Sequence, residues 1–299
     1  MATNKTPPVP PVPPPLPPAA KQTNNNSPPI ALGKAQAKWR APRIVLTVVE
    51  GWGKTSCGAY APDATILMAD GETGYETLLA SSLVPIVTTG SVTSWQALLN
   101  LLCADVWDNC ETLVIDALGG IERACQQYVC DTQFKGNWGE QGFVGYQRGY
   151  EVSAIEWVRM LAALDHLNQQ DITILLLAHA KVQSFKNPLG ADYDKYVADV
   201  HHKTWTPTKE WADAVLFGNF YTVVETQNSK TPEALRRGKG IGGTERVIYT
   251  ERRDAFDAKN RYGMRPVLDI PNDPSTIWTT IYSAICAKSK EHNHARTNA

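Results

Sequence analysis

The chain from residue 43 onward alternates short apolar runs with longer amphipathic stretches. Eight apolar runs predict strands at positions 44–49, 65–69, 83–87, 112–115, 173–178, 214–220, 245–250 and 267–269. Helices are predicted at 55–60, 75–80, 94–103, 121–129 and 151–169. In the last of these, apolar side chains recur at helical spacing at Ile155, Val158, Leu161, Ala162 and Leu164. This alternation is typical of βαβ units and predicts an α/β fold with a mostly parallel central β-sheet flanked by helices.

The first 38 residues differ in composition from the rest of the chain. They hold 11 of the 20 prolines, most of them between residues 7 and 18, and no acidic residue. Such a segment favours polyproline II and coil over a packed core. We therefore expect a disordered Pro-rich arm over 1–38, either passive or, through residues 7–18, a docking segment for a polyproline-binding partner. A single P-loop domain is expected over 39–286 and a flexible tail over 287–299.

Composition narrows the class of protein. A hydrophobic content of 43% with 20% charged residues is that of a globular protein, and a net charge of −1 argues neither for nor against nucleic acid as a partner. No apolar run has the length of a membrane-spanning helix and the N-terminus does not resemble a signal peptide, so we expect no membrane role and a cytoplasmic location. The six cysteines form no Cys-x-x-Cys pair, which favours reduced thiols over a zinc site.

Chemistry first enters after the strand predicted at 44–49, where residues 48–55 read VVEGWGKT. A Gly-rich turn between a strand and a helix is the context of a phosphate-binding P-loop. Lys54 would reach the β- and γ-phosphates of ATP, and the Thr55 hydroxyl would hold Mg²⁺. Val48 stands where the pattern has its first glycine, which is tolerated if the backbone there needs no positive φ. The alternative is an ordinary strand–turn–helix junction with a surface lysine. The expected nucleotide contacts are Glu50, Gly51, Trp52, Gly53, Lys54, Thr55 and Ser56.

Three other predicted strands end in polar residues. Asp116 follows the strand at 112–115 and suits a Walker B aspartate directed at Mg²⁺. Glu72 follows the strand at 65–69, where it could orient and polarise the water that attacks ATP, or could simply be a solvated loop glutamate. His179 follows the strand at 173–178, as a contact to the γ-phosphate or as a structural histidine. Ligands of open α/β sheets bind at the carboxyl ends of strands, so we expect these residues to converge.

The order of these elements, followed by Lys259-Asn260-Arg261, resembles the RecA-like recombinase core over roughly residues 41–272. The likeness is greatest to small phage ATPases of the AAA/RecA type, a group that includes single-strand-annealing proteins. The resemblance implies that Glu72 activates the attacking water and that His179 senses the γ-phosphate. It further implies that Lys259 and Arg261 act as fingers in the ATP site of a neighbouring subunit.

Three segments have a composition suited to nucleic acid. Aromatic side chains stack bases, and lysines and arginines contact phosphates. The first segment, 134–150, contains Phe134, Lys135, Trp138, Phe143, Tyr146, Arg148 and Tyr150. The second, 181–209, contains Phe185, Lys186, Lys195, His201, His202, Lys203 and Trp205. The third, 226–243, is a basic hairpin tip or loop with Arg236, Arg237 and Lys239, which could contact phosphates or simply be solvated. In the resembling family, loops at the first two places line the DNA channel; the alternative is that these aromatics are core.

These observations predict a RecA-like ATPase of phage type, in the host cytoplasm if phage-encoded, with ATP and Mg²⁺ as cofactors. It would be a homo-oligomer with ATP at the subunit interface, acting on single-stranded DNA in recombination or replication. Two alternatives stay open. One is a nucleotide-binding scaffold without hydrolysis, and the other is a P-loop enzyme or regulator with no DNA role.

Overall fold

The structure is a computed structural model that describes residue 34 and the ranges 39–225 and 239–297, without the side chains of 222–225, 239–242 and 288–297. Almost all of the predicted arm and most of the basic segment at 226–243 lie outside the described residues. The domain limits predicted at 38 and 286 stay predictions.

Ten strands and seven helices form the described part of the chain. The strands are β1 Arg43–Val48, β2 Ala64–Ala69, β3 Thr88–Val92, β4 Thr112–Asp116, β5 Thr173–Phe185, β6 Tyr193–Ala198, β7 Ala214–Glu225, β8 Lys239–Tyr249, β9 Lys259–Asn260 and β10 Val267–Ile270. The helices are α1 Lys54–Ala59, α2 Gly74–Ala80, α3 Trp95–Leu102, α4 Leu118–Phe134, α5 Arg148–Gln169, α6 His202–Trp211 and α7 Ile277–Thr297. None of the helices in the described residues is long and apolar enough to cross a membrane.

The central sheet has the strand order β10-β8-β7-β1-β5-β4-β2-β3. The strands from β7 to β3 are parallel. At one side of this parallel set, β8 pairs antiparallel with β7, and β10 pairs antiparallel with β8. Strand β5 lies between β1, which leads into the Gly-rich turn, and β4, which ends in Asp116. The predicted fold class, an α/β fold with a mostly parallel central sheet flanked by helices, is confirmed.

Both faces of the sheet are covered, which explains why its strands are apolar almost throughout. Successive side chains of a strand point to opposite faces, so Val45 packs in one core while Ile44 and Leu46 pack in the other. Helices α3 to α6 contribute to the first core, in which Trp95 and Trp157 stack with ring centroids 6.0 Å apart. Helices α1, α2 and α7 contribute to the second.

The predicted strand at 83–87 is wrong. Those residues form the connection after α2, where the Tyr75 hydroxyl donates to the carbonyl of Pro85 and accepts from the Val87 N–H. The strand that pairs with β2 is the more polar β3, at Thr88–Val92. Because β3 is an edge strand with one neighbour, it needs less apolar surface than the interior strands, and the apolar run before it misled the prediction.

Two further expectations need correction. The segment at 181–209, expected to be a loop, is a hairpin of β5 and β6 followed by α6. The chain beyond 287 is helical as far as Thr297, and the flexibility of this tail stays a prediction. The apolar stripe predicted for α5 is only partly the buried face of the helix. Ile155, Val158 and Ala162 are exposed. The buried face of α5 carries Trp157, Met160, Leu161, Leu164 and Leu167, because that face meets the sheet and the neighbouring helices.

Candidate active site

The turn after β1 has the backbone of a phosphate-binding loop. Gly51 and Gly53 have φ of +72° and +106°, values that residues other than glycine rarely adopt. Helix α1 begins at Lys54, and no side chain in the described residues caps its first turn. The first N–H groups of an α-helix have no partner within the helix, so those of α1 are free to bind phosphate oxygens.

Val48 does not disturb this loop. It is the last residue of β1, it pairs with His179 on β5 and Gly218 on β7, and its φ is not positive. The condition under which the missing first glycine is harmless is therefore met. A strand residue at this position also extends the core, because Val48 is buried against its neighbours.

Lys54, Thr55 and Asp116 converge at the carboxyl edge of the sheet. The Thr55 hydroxyl donates to Asp116 Oδ2 at 2.7 Å, and the Lys54 ammonium contacts Asp116 Oδ1. Strand β4 ends at Asp116, two strands from the loop that carries Lys54, and the aspartate is almost fully buried. This places one cation and two oxygen ligands at the mouth of the phosphate loop.

Glu72 joins the same group from β2. Gly71, with φ of +83°, allows a tight turn in which the Glu72 N–H donates to the carbonyl of Ala69 at 3.0 Å. The turn brings Glu72 Oε2 to 3.7 Å from Lys54 Nζ. The Glu72 side chain remains a quarter exposed, so that water reaches its oxygens.

His179 faces Glu72 from β5. Its Nε2 atom lies 3.6 Å from Glu72 Oε1, and 41% of its side chain is exposed. The hairpin of β5 and β6 starts with the next residue, Ala180. The histidine therefore stands between the carboxylate and a projecting hairpin on the same edge of the sheet.

The oxygen atoms of Thr55 and Asp116 fit Mg²⁺. They are 2.7 Å apart, close to the roughly 2.9 Å between adjacent ligands of an octahedral ion bound at about 2.05 Å. Within the described residues, no group of three His, Cys, Asp or Glu side chains could hold a metal. Two protein ligands are what Mg²⁺ takes when phosphate oxygens and water complete its shell.

Lys259 and Arg261 lie at the opposite, amino-terminal edge of the sheet, where β9 pairs with the first residues of β7. The Lys259 ammonium donates to the carbonyls of Lys209, Glu210 and Ala212 at 2.8, 3.0 and 2.7 Å. Arg261 pairs with Asp213 at 3.0 Å and keeps 51% of its side chain exposed. Neither reaches the phosphate loop of its own chain, and their action in a neighbouring subunit stays a prediction.

The aromatic residues proposed for nucleic acid divide into core and surface. Phe143 is fully buried, with ring centroids 4.5 Å from Trp138 and 5.0 Å from Tyr150, and Trp205 is buried on α6. Tyr146, at 96% exposed, and Trp138 face solvent. Binding of DNA by this segment stays a prediction.

The two histidines of the second segment differ, because His202 is exposed whereas His201 is partly buried. The His201 ring stacks on Tyr150 with centroids 4.2 Å apart. Burial, followed by the neighbouring charge of His202, lowers the pKa of His201 to about 4, so its ring is neutral at pH 7. His201 therefore adds no positive charge to the surface expected to bind phosphates.

Sequence reasoning missed the residues that hold the phosphate loop from outside. The Trp52 side chain, expected near the nucleotide, is fully buried, and its indole N–H donates to the carbonyl of Asn219 at 3.1 Å. Arg246 Nε donates to the carbonyl of Trp52 at 2.6 Å. The one available signal was Gly218, because an isolated glycine in an apolar strand indicates close approach of another group.

Comparison with known proteins adds one family match. Residues 40–262 match the model of a family described as AAA domain. No curated protein matches the chain. Among solved structures, flagellar accessory protein FlaH from Methanocaldococcus jannaschii matches with a TM-score of 0.42 and 8% sequence identity, over 77% of this chain and 84% of FlaH. The family match spans the phosphate loop, Glu72, Asp116 and His179.

Proposed function

Because the chain belongs to the AAA domain family, whose members are P-loop ATPases, we propose that it binds Mg-ATP and hydrolyses the bond to the γ-phosphate. The observation that carries this proposal is the convergence of four side chains at the carboxyl edge of the parallel sheet, three at or after the ends of β1, β2 and β4 and His179 within β5. Glu72 Oε2 lies 3.7 Å from Lys54 Nζ, Thr55 is bonded to Asp116, and His179 lies 3.6 Å from Glu72.

Each side chain has a distinct role in the proposed reaction. The Lys54 ammonium binds the β- and γ-phosphates and neutralises charge that develops as the bond breaks. Thr55 and Asp116 would hold Mg²⁺, which supplies further positive charge to the phosphates. Glu72 accepts a hydrogen bond from the attacking water and orients it in line with the bond. His179 contacts Glu72, so that it connects this carboxylate to the hairpin of β5 and β6.

The finer proposal is that single-stranded DNA is the partner, in phage-type recombination or replication. Two observations support it. Tyr146 and Trp138 expose aromatic rings next to the exposed Lys135 and Arg148, a combination that suits base stacking and phosphate contact. The hairpin of β5 and β6 leaves the sheet at the ATPase edge directly after His179.

Oligomerisation completes this proposal. Arg261 is half exposed, and its guanidinium is held only by Asp213 at 3.0 Å and by a long 3.4 Å contact to the carbonyl of Glu210 among the described residues, so it can reach the ATP site of a neighbouring copy. Lys259 is enclosed by three backbone carbonyls of its own chain. We therefore assign the finger in trans to Arg261 and give Lys259 a structural role.

The test is ATP hydrolysis with and without single-stranded DNA, at low and at high salt. We expect hydrolysis that Lys54→Ala abolishes and that DNA stimulates at low salt more than at high salt. Tyr146→Ala should lose the stimulation while Tyr146→Phe keeps it, because phenylalanine retains the stacking face. The exposure of Tyr146 makes a folding defect an improbable cause of any loss.

Other outcomes identify the alternatives. Hydrolysis that ignores DNA in every condition would favour an enzyme or regulator with no DNA role. Binding of ATP without turnover would favour a scaffold. Turnover that survives Lys54→Ala would rule out the site itself.

A further inference from the structure

The hairpin of β7 and β8 contacts the phosphate loop on both sides of Trp52. Trp52 inserts its ring against Gly218 on β7, and its indole N–H donates to the next carbonyl, that of Asn219. A Cβ atom at Gly218 would stand 2.8 Å from the ring atom Cε2 of Trp52 and 2.7 Å from Val48 Cγ1. Only glycine leaves room for this insertion, so β7 is shaped to receive the loop.

Arg246 on β8 holds the other side of the same residue. Its Nε donates to the carbonyl of Trp52 at 2.6 Å, and its Nη1 donates to the carbonyl of Asn272 at 2.9 Å. Asn272 precedes α7, whose first residue, Ile277, would lie 3.2 Å from a Cβ atom at Gly53. One guanidinium thus ties together the phosphate loop, β8 and the segment that leads into α7.

The hydrogen bond from Arg246 to the carbonyl of Trp52 also sets the direction of the Gly53 N–H. The peptide unit is planar and trans, so the carbonyl of Trp52 and the N–H of Gly53 point in opposite directions. With the carbonyl directed at Arg246, the N–H is directed away from the guanidinium, to the side where the N–H groups of a P-loop meet phosphate. Glycine at 53, with φ of +106°, has little intrinsic preference that would hold this plane without help.

We propose that Arg246 is a positioning residue of the phosphate loop, which fixes the Trp52–Gly53 peptide and couples the hairpin of β7 and β8 to nucleotide binding. The proposal rests on the proposed function in one respect, that the loop holds a nucleotide phosphate. It extends that function because it gives the hairpin a route to the ATP site that does not pass through Glu72 or His179.

The first experiment compares Arg246→Met and Arg246→Lys with the wild type. Affinity for Mg-ADP and for a non-hydrolysable ATP analogue is measured by calorimetry, and amide exchange over residues 50–56 by mass spectrometry. We expect affinity about tenfold weaker in Arg246→Met, the factor of one lost charge-assisted hydrogen bond, and an intermediate loss in Arg246→Lys. Exchange should accelerate in the phosphate loop. Arg252→Met, which removes an exposed arginine of the loop after β8, is the matched control and should change neither quantity.

Kinetics separate positioning from catalysis. If the phosphate loop binds the ground state and the transition state equally, Arg246→Met weakens both to the same extent. The variant should then have a higher KM for ATP and a kcat within about twofold of the wild type. Trp52→Phe removes the indole donor but keeps most of the ring, so it should act in the same direction with a smaller effect. The double variant should show less than the sum of the two losses, since both side chains hold one residue.

The opposite results would overturn the proposal. A lower melting temperature in Arg246→Met with unchanged affinity and unchanged exchange at 50–56 would make Arg246 a purely structural residue. If Arg246→Met does not fold, Arg246→Lys and Trp52→Phe decide, and wild-type affinity in both refutes the coupling. If the wild type binds no nucleotide, the proposed function fails, while exchange at the loop in Arg246→Lys still tests the positioning.

Discussion

At the carboxyl-terminal edge of the sheet, one lysine faces two carboxylates, whereas at the amino-terminal edge arginines and aspartates form a closed network. Lys54 is shared between Asp116 and Glu72, at the mouth of a loop with free N–H groups. Arg43, the first residue of β1, instead binds Asp165 at 2.7 Å and Asp213 at 3.0 Å. The two ends of one strand therefore lead to opposite electrostatic situations.

The difference shows in how fully the charges are satisfied. Asp213 also accepts from Arg261, and Trp211 donates to Asp165. Burial, the largest single influence, acts to raise the pKa of Asp213, but the hydrogen bonds and positive charges of Arg43 and Arg261 together outweigh it, so the net shift is downward. Such a network stabilises the fold and has little capacity for a ligand. The carboxyl edge lacks this closure, and its side chains remain able to exchange partners with phosphate, Mg²⁺ and water.

Among changes to the chain's own active-site residues, the largest effect in this comparison should come from Glu72→Gln. The change keeps the shape of the side chain but removes the carboxylate that polarises water, so we expect kcat for ATP to fall at least about a hundredfold. Affinity for ATP and the free energy of unfolding should change little, because the glutamate is partly exposed and 3.7 Å from Lys54. Turnover and equilibrium unfolding are the measurements.

Asp70→Asn supplies the control for this change. Asp70 is exposed and lies two residues before Glu72 on the same turn. Asp70→Asn removes one negative charge, as Glu72→Gln does, but from a side chain outside the proposed site. The ATP turnover of this variant should match that of the wild type. Equal losses in both variants would mean that the net charge of the turn, rather than the position of Glu72, controls hydrolysis.

The next effect should come from Arg43→Ala, which removes the cation shared by Asp165 and Asp213 and leaves each of them at least one other donor. We expect a loss of about 1 to 2 kcal/mol in the free energy of unfolding, less than for a fully buried pair because these side chains are partly exposed, with nucleotide affinity unchanged. Arg159→Ala is the matched control, since Arg159 pairs with Glu156 on the surface of α5 and should cost less than about 1 kcal/mol. A loss of nucleotide affinity in Arg43→Ala would show that the two edges are coupled.

The sequence predicts those features of the two edges that follow from neighbouring residues, and it does not predict those that depend on residues far apart in the chain. Lys54, Glu72, Asp116 and His179 each follow an apolar run, and parallel strands bring such positions to one edge. Local pattern was therefore enough to predict the group, as well as the alternation that gives the fold class.

The remaining features depend on pairings between distant parts of the chain. Arg246 bonds to Trp52 across 194 positions, and nothing near either residue indicates the other. The hairpin of β5 and β6 and the edge strand β3 are decided by partners available in the folded sheet, whereas the apolar run at 83–87 met none. The exposed side of α5 has the same cause, because periodicity gives a stripe but not which neighbour covers it.

The smallest effect should come from Lys259→Met. This change tests whether Lys259 belongs to the closed network at the amino-terminal edge or to the active site of a neighbouring chain. The ammonium binds the carbonyls of Lys209, Glu210 and Ala212 at the end of α6, groups that have no partner within the helix. Burial, as the leading cause, lowers the pKa of Lys259, as expected for an enclosed ammonium. We expect a loss of about 1 kcal/mol in the free energy of unfolding and a kcat within about twofold of the wild type.

Arg261→Met provides the contrast, because Arg261 is the residue assigned to act in trans. Its kcat should fall by about a hundredfold or more. Mixing it with Lys54→Ala should restore turnover, since Arg261 of the Lys54→Ala chains completes the intact phosphate loops of their neighbours. If Lys259→Met instead loses turnover at unchanged stability and is rescued by the same mixing, the lysine leaves its carbonyl partners to serve a neighbouring site. The amino-terminal edge would then belong to the active site of the assembly, and the contrast between the two edges would hold only for an isolated chain.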